Sequence, residues 1–151
     1  MLENIELAFR ISRSKQIVRR YFITNGFDGV LTMLGLLVGF RASGSSDIAI
    51  LLASGFGAAI ALAISGISSA YISETAERKH ELEKLQDAMI NPLDGSAHAQ
   101  AARIVPVIVA LVNGLSPFLF AQLLLAPLWL ATNQILDIPS PVDVSIIIAL
   151  T

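Results

Sequence analysis

The chain contains 151 residues, of which 54% are hydrophobic and 15% are charged, and its formal net charge is −2. Soluble domains have about 25% charged residues, so the composition argues against a soluble protein and predicts one membrane domain. The negative charge argues against a nucleic-acid partner, and the absence of cysteine excludes disulfides, thiolate metal sites and redox chemistry at sulfur.

Residues 1–20 are predicted to form an amphipathic helix that lies in the membrane interface. Leu2, Ile5 and Phe9 share one face of this helix, and the basic side chains of the segment can meet anionic headgroups. The periodicity is weak, so a disordered basic leader is an open alternative. We expect no cleavable signal peptide, because the basic stretch leads directly into a full-length apolar segment.

The first apolar segment covers residues 21–40 and carries one charge, Asp28. A segment of this length can cross a bilayer as a helix. A carboxylate near its middle costs roughly 2.5–3.5 kcal/mol on insertion scales, so such a group commonly marks a transport path, a proton relay or a bound cation. The alternative is that Asp28 lies near a helix end, reaches water and has no function.

Small and polar residues line one face of this first span. They recur at steps of three and four residues, and they are Asn25, Asp28, Thr32, Gly35 and Gly39. The glycine pair allows another backbone to approach closely, which is typical of helix packing in membranes. We therefore predict that the polar members line a path and that the two glycines form a packing surface.

Two further apolar segments follow, at residues 48–72 and 104–131, and residues 142–151 predict the start of a fourth span. The fourth is too short to cross, so we expect either a fragment of a longer protein or an end in the interface. The second segment is rich in small residues that could serve packing or line a path, namely Ser54, Ala58, Ala61, Ser65 and Ser68. In the third segment, Pro117 lies close to Asn113-Gly114 and removes a backbone hydrogen bond. It predicts either a kink or exposed carbonyl groups that help to line a cavity.

The basic residues predict the orientation. Nine of the ten Lys and Arg residues precede the first span or lie between the second and third, and Arg41 is the exception. The positive-inside rule therefore places the N-terminus and residues 73–103 in the cytoplasm. Because no organellar signal is visible, we expect an integral protein of a prokaryotic cell membrane.

The second span is predicted to continue as a cytoplasmic helix over residues 73–90, where Gly and Pro are absent, and to stop at Asn91-Pro92. Four of its side chains are candidate ligands for Fe²⁺ or Mn²⁺, which accept carboxylate and imidazole groups: Glu74, Glu77, His80 and Glu81. We call this predicted helix, residues 73–90, the acidic helix.

The alternative to a set of metal ligands is an ordinary solvated helix with ion pairs along its surface. Glu74 with Arg78, and Lys79 with Glu83, are spaced to form i,i+4 ion pairs. The sequence alone leaves both interpretations open. No nucleophile–base pair or phosphate loop occurs, so we do not predict an enzyme.

Two segments resemble the vacuolar iron transporter family. The first contains Asn25-Gly-x-Asp28-Gly and leads into the glycine-containing residues 34–39. The second is residues 61–71, with the sequence ALAISGISSAY, and the acidic helix follows it directly. The likeness covers residues 18–131 in order, and the short central loop is similar to that of compact archaeal members.

The resemblance implies a homodimer of five-span subunits that exports Fe²⁺, and often Mn²⁺, from the cytoplasm in exchange for protons. It implies that Asp28 faces the path at the dimer interface, with Glu74 and Glu77 continuing the route. The metal would be the transported substrate, with no permanently bound cofactor. Gly66 stands where the family commonly has methionine, and the chain stops before the family's last span.

Two alternatives to metal transport remain open at this stage. One is a small proton-coupled exporter of organic cations, which also uses one membrane carboxylate per subunit. The other is a non-transporting membrane scaffold, in which Asp28 forms a hydrogen bond across an interface. The fold prediction is common to all three: an all-α, polytopic transmembrane bundle with an amphipathic N-terminal helix and a cytoplasmic extension of the second span.

Overall fold

The computed structural model describes residues 14–89 and 96–151. Within these residues 88% of the chain is helical and there are no strands, so the predicted all-α fold is confirmed. In chain order the helices are α1 (Ser14–Ala42), α2 (Ile48–Met89), α3 (Ala97–Thr132) and α4 (Pro141–Leu150). Residues 1–13, which contain most of the predicted interfacial helix, lie outside the described part.

Short polar segments begin and end these helices. Gly44 lies just after the end of α1 and has a φ of +68°, a conformation that glycine adopts readily. The Asp47 carboxylate then accepts hydrogen bonds from the backbone N–H groups of Ala49 and Ile50, at 3.0 and 3.3 Å, and so caps α2. Ser96 caps α3 in the same way, through Ala99. The tight connection between α1 and α2 makes them antiparallel.

α3 is the central helix of the bundle. α1 and α2 both pack along α3 and touch each other much less, while α4 packs on α3 and α1. The main core cluster joins all four helices around buried residues that include Met33, Leu51, Ala59 and Leu128. A second, smaller cluster joins the start of α1 to Val105 of α3. α1 and α2 thus flank α3, and we call the surface of α3 between them the α1–α2 cleft.

Three of the helices are long and apolar enough to cross a membrane: Gln16–Ala42, Ile48–Ala88 and His98–Thr132. Large apolar side chains also remain exposed on their outer surfaces, among them Ile23, Phe27, Ile64, Leu119 and Leu123. Such extensive exposed apolar surface indicates a lipid environment. The chain is thus an integral membrane protein with a helical transmembrane bundle.

The acidic helix is an unbroken continuation of the second span, because α2 runs from Ile48 to Met89. The predicted stop at Asn91-Pro92 lies outside the described residues. α3 starts at Ala97, earlier than the apolar segment that begins at residue 104, and it stays helical through Pro106, Pro117 and Pro127. The short α4 corresponds to the predicted start of a fourth span.

Candidate functional site

Asp28 is exposed near the middle of the apolar part of α1. Asn25, one turn earlier, donates its Nδ2 hydrogen to Oδ1 of Asn113 on α3. Three residues later, at about 100° per residue, Asp28 is only about 60° away from Asn25 around the helix. Asp28 therefore lies towards the same side of α1 as Asn25. Thr32 donates to the backbone carbonyl of Asp28, at 2.8 Å.

Asn113 connects three helices at the back of the cleft. Its side chain accepts from Asn25 of α1, and its Nδ2 donates to the carbonyl of Gly66 on α2, at 2.8 Å. Ser116, one turn further along α3, donates to the carbonyl of Phe22 at 2.5 Å. Both Asn113 and Ser116 are buried. Interhelical hydrogen bonds of this kind satisfy polar groups where lipid cannot.

Sequence reasoning noted Asn113 only as a neighbour of Pro117 and missed its role as a connector. A usable signal was present: an amide in the middle of an apolar span must find hydrogen-bond partners when it is buried. The spacing of residues does not identify those partners, because they lie on two other helices.

Gly66 is a point of close contact between α2 and α3. A Cβ atom there would lie 3.0 Å from Cα of Gly114 and 3.1 Å from the carbonyl oxygen of Asn113. A longer side chain would therefore force the two backbones apart. This contact gives a physical reason for glycine at the position where the resembling family commonly has methionine.

Gly35 and Gly39 have no such contact. A Cβ atom at either position would meet nothing within 4 Å among the described residues. Both are exposed, on the same side of α1 as Asp28. They take no part in packing within the described chain, and their predicted role at a contact with a second chain remains a prediction. On α2, Ser54, Ser65 and Ser68 are also exposed.

A shallow groove of about 460 Å³ surrounds this part of α1, with Phe22, Phe27, Asp28 and Phe120 among its lining residues. The Phe120 ring lies against Gly26, because a Cβ there would be 2.6 Å from Cε2 of the ring. Three aromatic side chains, Phe22, Phe27 and Phe120, thus line the same groove as the Asp28 carboxylate.

In the acidic helix, the buried Arg78 forms ion pairs with the buried Glu74 and the exposed Glu81. Nη2 of Arg78 lies 3.4 Å from Oε2 of Glu74, and Nη1 lies 2.6 Å from Oε2 of Glu81. The exposed pair of Lys79 and Glu83 has a separation of 3.9 Å. The i,i+4 pairs expected of an ordinary helix are therefore confirmed, and Arg78 has a second carboxylate partner that the i,i+4 spacing did not indicate.

The predicted metal ligands of this helix are divided between two surroundings. Glu74 is buried, whereas Glu77, His80 and Glu81 are exposed. Among residues 14–89 and 96–151, no group of three or more Asp, Glu or His side chains is close enough to hold a metal ion. Within the described part of a single chain, the predicted ligands are therefore not assembled into a metal centre.

The opposite end of the bundle has its own charge pair. Arg41, at the end of α1, forms an exposed salt bridge with Asp143, at the start of α4. The one basic residue that stood apart from the others in the sequence is thus paired. This contact attaches the short α4 to the end of α1.

Comparison with known proteins gives one distant relative. The chain is 30% identical over 114 residues to an uncharacterized protein of the archaeon Methanocaldococcus jannaschii, an alignment that covers 74% of this chain and 59% of that protein. The chain thus spans less than two thirds of the length of this relative. No family model matches the chain. No solved structure matches it significantly.

Proposed function

We propose that this protein is a divalent-metal transporter of the vacuolar iron transporter type, which exports Fe²⁺ or Mn²⁺ from the cytoplasm in exchange for protons. In this proposal two copies of the chain form a homodimer, and the Asp28 carboxylates lie in the path at the interface. The N-terminus and the acidic helix face the cytoplasm. The archaeal relative supports placement in a prokaryotic cell membrane.

The observation that carries the proposal is the exposure of Asp28 in the middle of an apolar helix. An ionised carboxylate that faces lipid is costly, so such a group commonly faces protein, water or a cation. Gly35 and Gly39 leave room on the same side for a second helix. A two-fold contact on this side would bring two Asp28 side chains together, because an isologous interface uses the same patch on both subunits.

Two facing carboxylates provide a simple exchange chemistry. When both are ionised they attract a divalent cation, and oxygen ligands suit Mn²⁺ as well as Fe²⁺. Protonation removes the charge that holds the cation. A proton and a metal ion therefore compete for the same group.

The exporter of organic cations has one observation in its favour, because Phe22, Phe27 and Phe120 line the same groove as Asp28 and aromatic rings attract organic cations. Transport of cationic dyes without transport of metal would favour this alternative. A scaffold would retain the dimer and bind no divalent metal between pH 5 and 8.

The decisive experiment measures Fe²⁺ uptake into proteoliposomes that carry a pH gradient. The Asp28→Asn variant is expected to lose gradient-driven uptake while it stays folded, because an amide cannot exchange a proton for a cation. Asp137→Asn is the matched control, since Asp137 lies exposed in the segment between α3 and α4. Equal uptake by the native chain and the Asp28→Asn variant would refute the proposal.

A further inference from the structure

A cavity of about 310 Å³ lies between the acidic helix and the start of α3. Two positively charged side chains, Arg78 and Lys84, line it from the acidic helix, and His98 lines it from α3. Glu81 is the one acidic residue in the described lining. The rest of the lining is apolar, with Leu82 and Ala101 among its residues. The cavity thus combines basic side chains with an apolar wall, which favours an anion carried by a larger molecule.

Arg78 is buried in the wall of this cavity and retains unused hydrogen-bond donors. Its residue is only 6% exposed. A guanidinium has five N–H groups, and the structure uses one for Glu81 at 2.6 Å and one for Glu74 at 3.4 Å. The Nε–H group has no acceptor among the described residues. A buried donor without an acceptor is costly, so a ligand rich in oxygen atoms beside Arg78 would stabilise this arrangement.

The carboxylates near Arg78 leave the lining of the cavity attractive to an anion. Glu74 contacts the guanidinium but does not line the cavity. The Glu81 side chain is 50% exposed, so water and salt screen its charge. The lining itself therefore carries two permanent positive charges and one screened negative charge.

The donors in the lining suit a phosphate group better than a carboxylate. They belong to three different side chains, on two helices, and so approach the cavity from different directions. A phosphate group offers at least three strong acceptor oxygens, whereas a carboxylate has two oxygens in one plane. A phosphate group can therefore accept from all three basic side chains at once.

The cavity lies close to the membrane boundary. Arg78 is six residues beyond the second apolar segment, and His98 is six residues before the third, so each is about 9 Å along its helix from the apolar part. The headgroup layer extends about 5–8 Å from the hydrocarbon core on each side. Basic pockets between transmembrane helices near this level bind the headgroups of anionic lipids. Soluble phosphates also reach this level from the water.

We propose that this cavity binds a phosphate group, which accepts hydrogen bonds from Arg78, Lys84 and His98. The apolar wall contacts the adjoining part of the molecule that carries the phosphate. This molecule is either an anionic phospholipid or a soluble phosphate ester, because both present the same oxygen atoms. The bound phosphate joins the acidic helix to the start of α3. This site is independent of the proposed transport of metal.

The test is calorimetric titration of the purified full chain in a maltoside detergent, which contains no phosphate. Glycerol 3-phosphate is the soluble probe, and dihexanoyl phosphatidic acid is the lipid probe. Dihexanoylglycerol is the control lipid, because it has the same acyl chains without the phosphate. Tighter binding of the phosphatidic acid would identify a lipid ligand, and equal or tighter binding of glycerol 3-phosphate would identify a soluble one. If neither phosphate probe binds, or if dihexanoylglycerol binds as tightly as the phosphatidic acid, the inference is overturned.

Lys84→Gln is the first variant, because Lys84 is exposed and the loss of its charge leaves the buried ion pairs in place. It is expected to weaken binding of the phosphate probe about tenfold, the effect of one hydrogen bond to a charged group. Lys79→Gln is the matched control, since it removes the same charge from the same helix but outside the cavity lining, where the side chain is 77% exposed. The control is expected to change the affinity by less than about twofold. Unchanged affinity in Lys84→Gln, or equal weakening in both variants, would overturn the inference.

His98→Ala tests the contribution of α3. His98 is exposed, so its removal is not expected to disturb the fold. The variant is expected to bind the phosphate probe about threefold more weakly, the effect of one ordinary hydrogen bond. Native affinity in this variant would show that α3 does not contact the phosphate, which would overturn a site shared between the two helices.

Discussion

The two sides of α1 have similar residues but differ in how completely they are packed. On the inner side, Gly26 and Gly29 lie directly against α3, and a Cβ at Gly29 would be 2.5 Å from the Pro117 carbonyl oxygen. On the outer side, Gly35 has open space around it and Asp28 is exposed. Glycine destabilises the interior of a helix, so it is expected where a close approach of another backbone requires it. The inner glycines are explained by contacts within this chain, whereas the outer side is free, among the described residues, for the second chain of the proposed dimer.

The largest effect is expected from filling the inner side. Gly29→Ala should lower the free energy of unfolding by about 2–3 kcal/mol, because the added methyl group meets backbone atoms of Pro117 that cannot move aside easily. Gly35→Ala is the matched control on the outer side. It should leave stability unchanged or raise it by about 0.5–1 kcal/mol, because alanine is the better helix former.

Unfolding by SDS in mixed micelles, followed by circular dichroism, measures both variants. If the two substitutions destabilise the chain equally, the contrast between the two sides of α1 is wrong. A larger loss in Gly35→Ala than in Gly29→Ala would reverse it.

A smaller effect is expected from removing the connector at the back of the cleft. Asn113→Ala deletes bonds to α1 and α2 and leaves Asn25 without its partner, which should cost about 1–2 kcal/mol of unfolding free energy. A double-mutant cycle with Asn25→Ala should show that the two losses are not additive, because the residues share one hydrogen bond. Strict additivity would mean that this bond contributes nothing to stability.

No loss of stability is expected from enlarging the outer side. Gly35→Leu combined with Gly39→Leu should not lower the unfolding free energy of the single chain, because leucine is a better helix former than glycine and meets open space at both positions. It should nevertheless abolish the proposed dimer, because the two helices could no longer approach closely.

Counting subunits by single-molecule photobleaching in lipid vesicles measures this last effect. The native chain is expected to be a dimer and the double leucine variant a monomer. A native chain that is monomeric, or a variant that remains dimeric, would place the interface somewhere other than the outer side of α1.

The sequence was sufficient for the architecture because hydrophobic length is a strong signal. It predicted the three spans and the unbroken acidic helix. It did not indicate that residues 14–20 belong to the same helix as the first span, nor how far α3 extends before residue 104. The prolines of α3 did not interrupt it. Pro117 has no N–H to donate to the carbonyl of Asn113, four residues earlier. This carbonyl packs against Gly66 of α2 in the bundle.

The candidate sites were harder to predict because periodicity defines a helix face but not the neighbour that meets it. The spacing grouped Glu74 with Glu77, yet one carboxylate is buried and the other exposed. It paired Arg78 with Glu74 but did not indicate its contact with Glu81. It grouped Asn25 with Asp28, although Asn25 donates a hydrogen bond to Asn113 of α3 and Asp28 is exposed. These distinctions depend on where α3 lies, and contacts between helices are not encoded in the pattern of any one of them.

The length of α2 has a mechanical consequence. Its 42 residues form one continuous helix of about 63 Å, roughly twice the thickness of the hydrocarbon layer. No break interrupts this helix between Gly66, where it contacts α3, and the acidic helix, so the two parts tilt together. A tilt of one degree about Gly66 moves Met89, 23 residues away, by about 0.6 Å. A displacement of the acidic helix is therefore transmitted into the membrane-spanning part of α2 without a hinge between them.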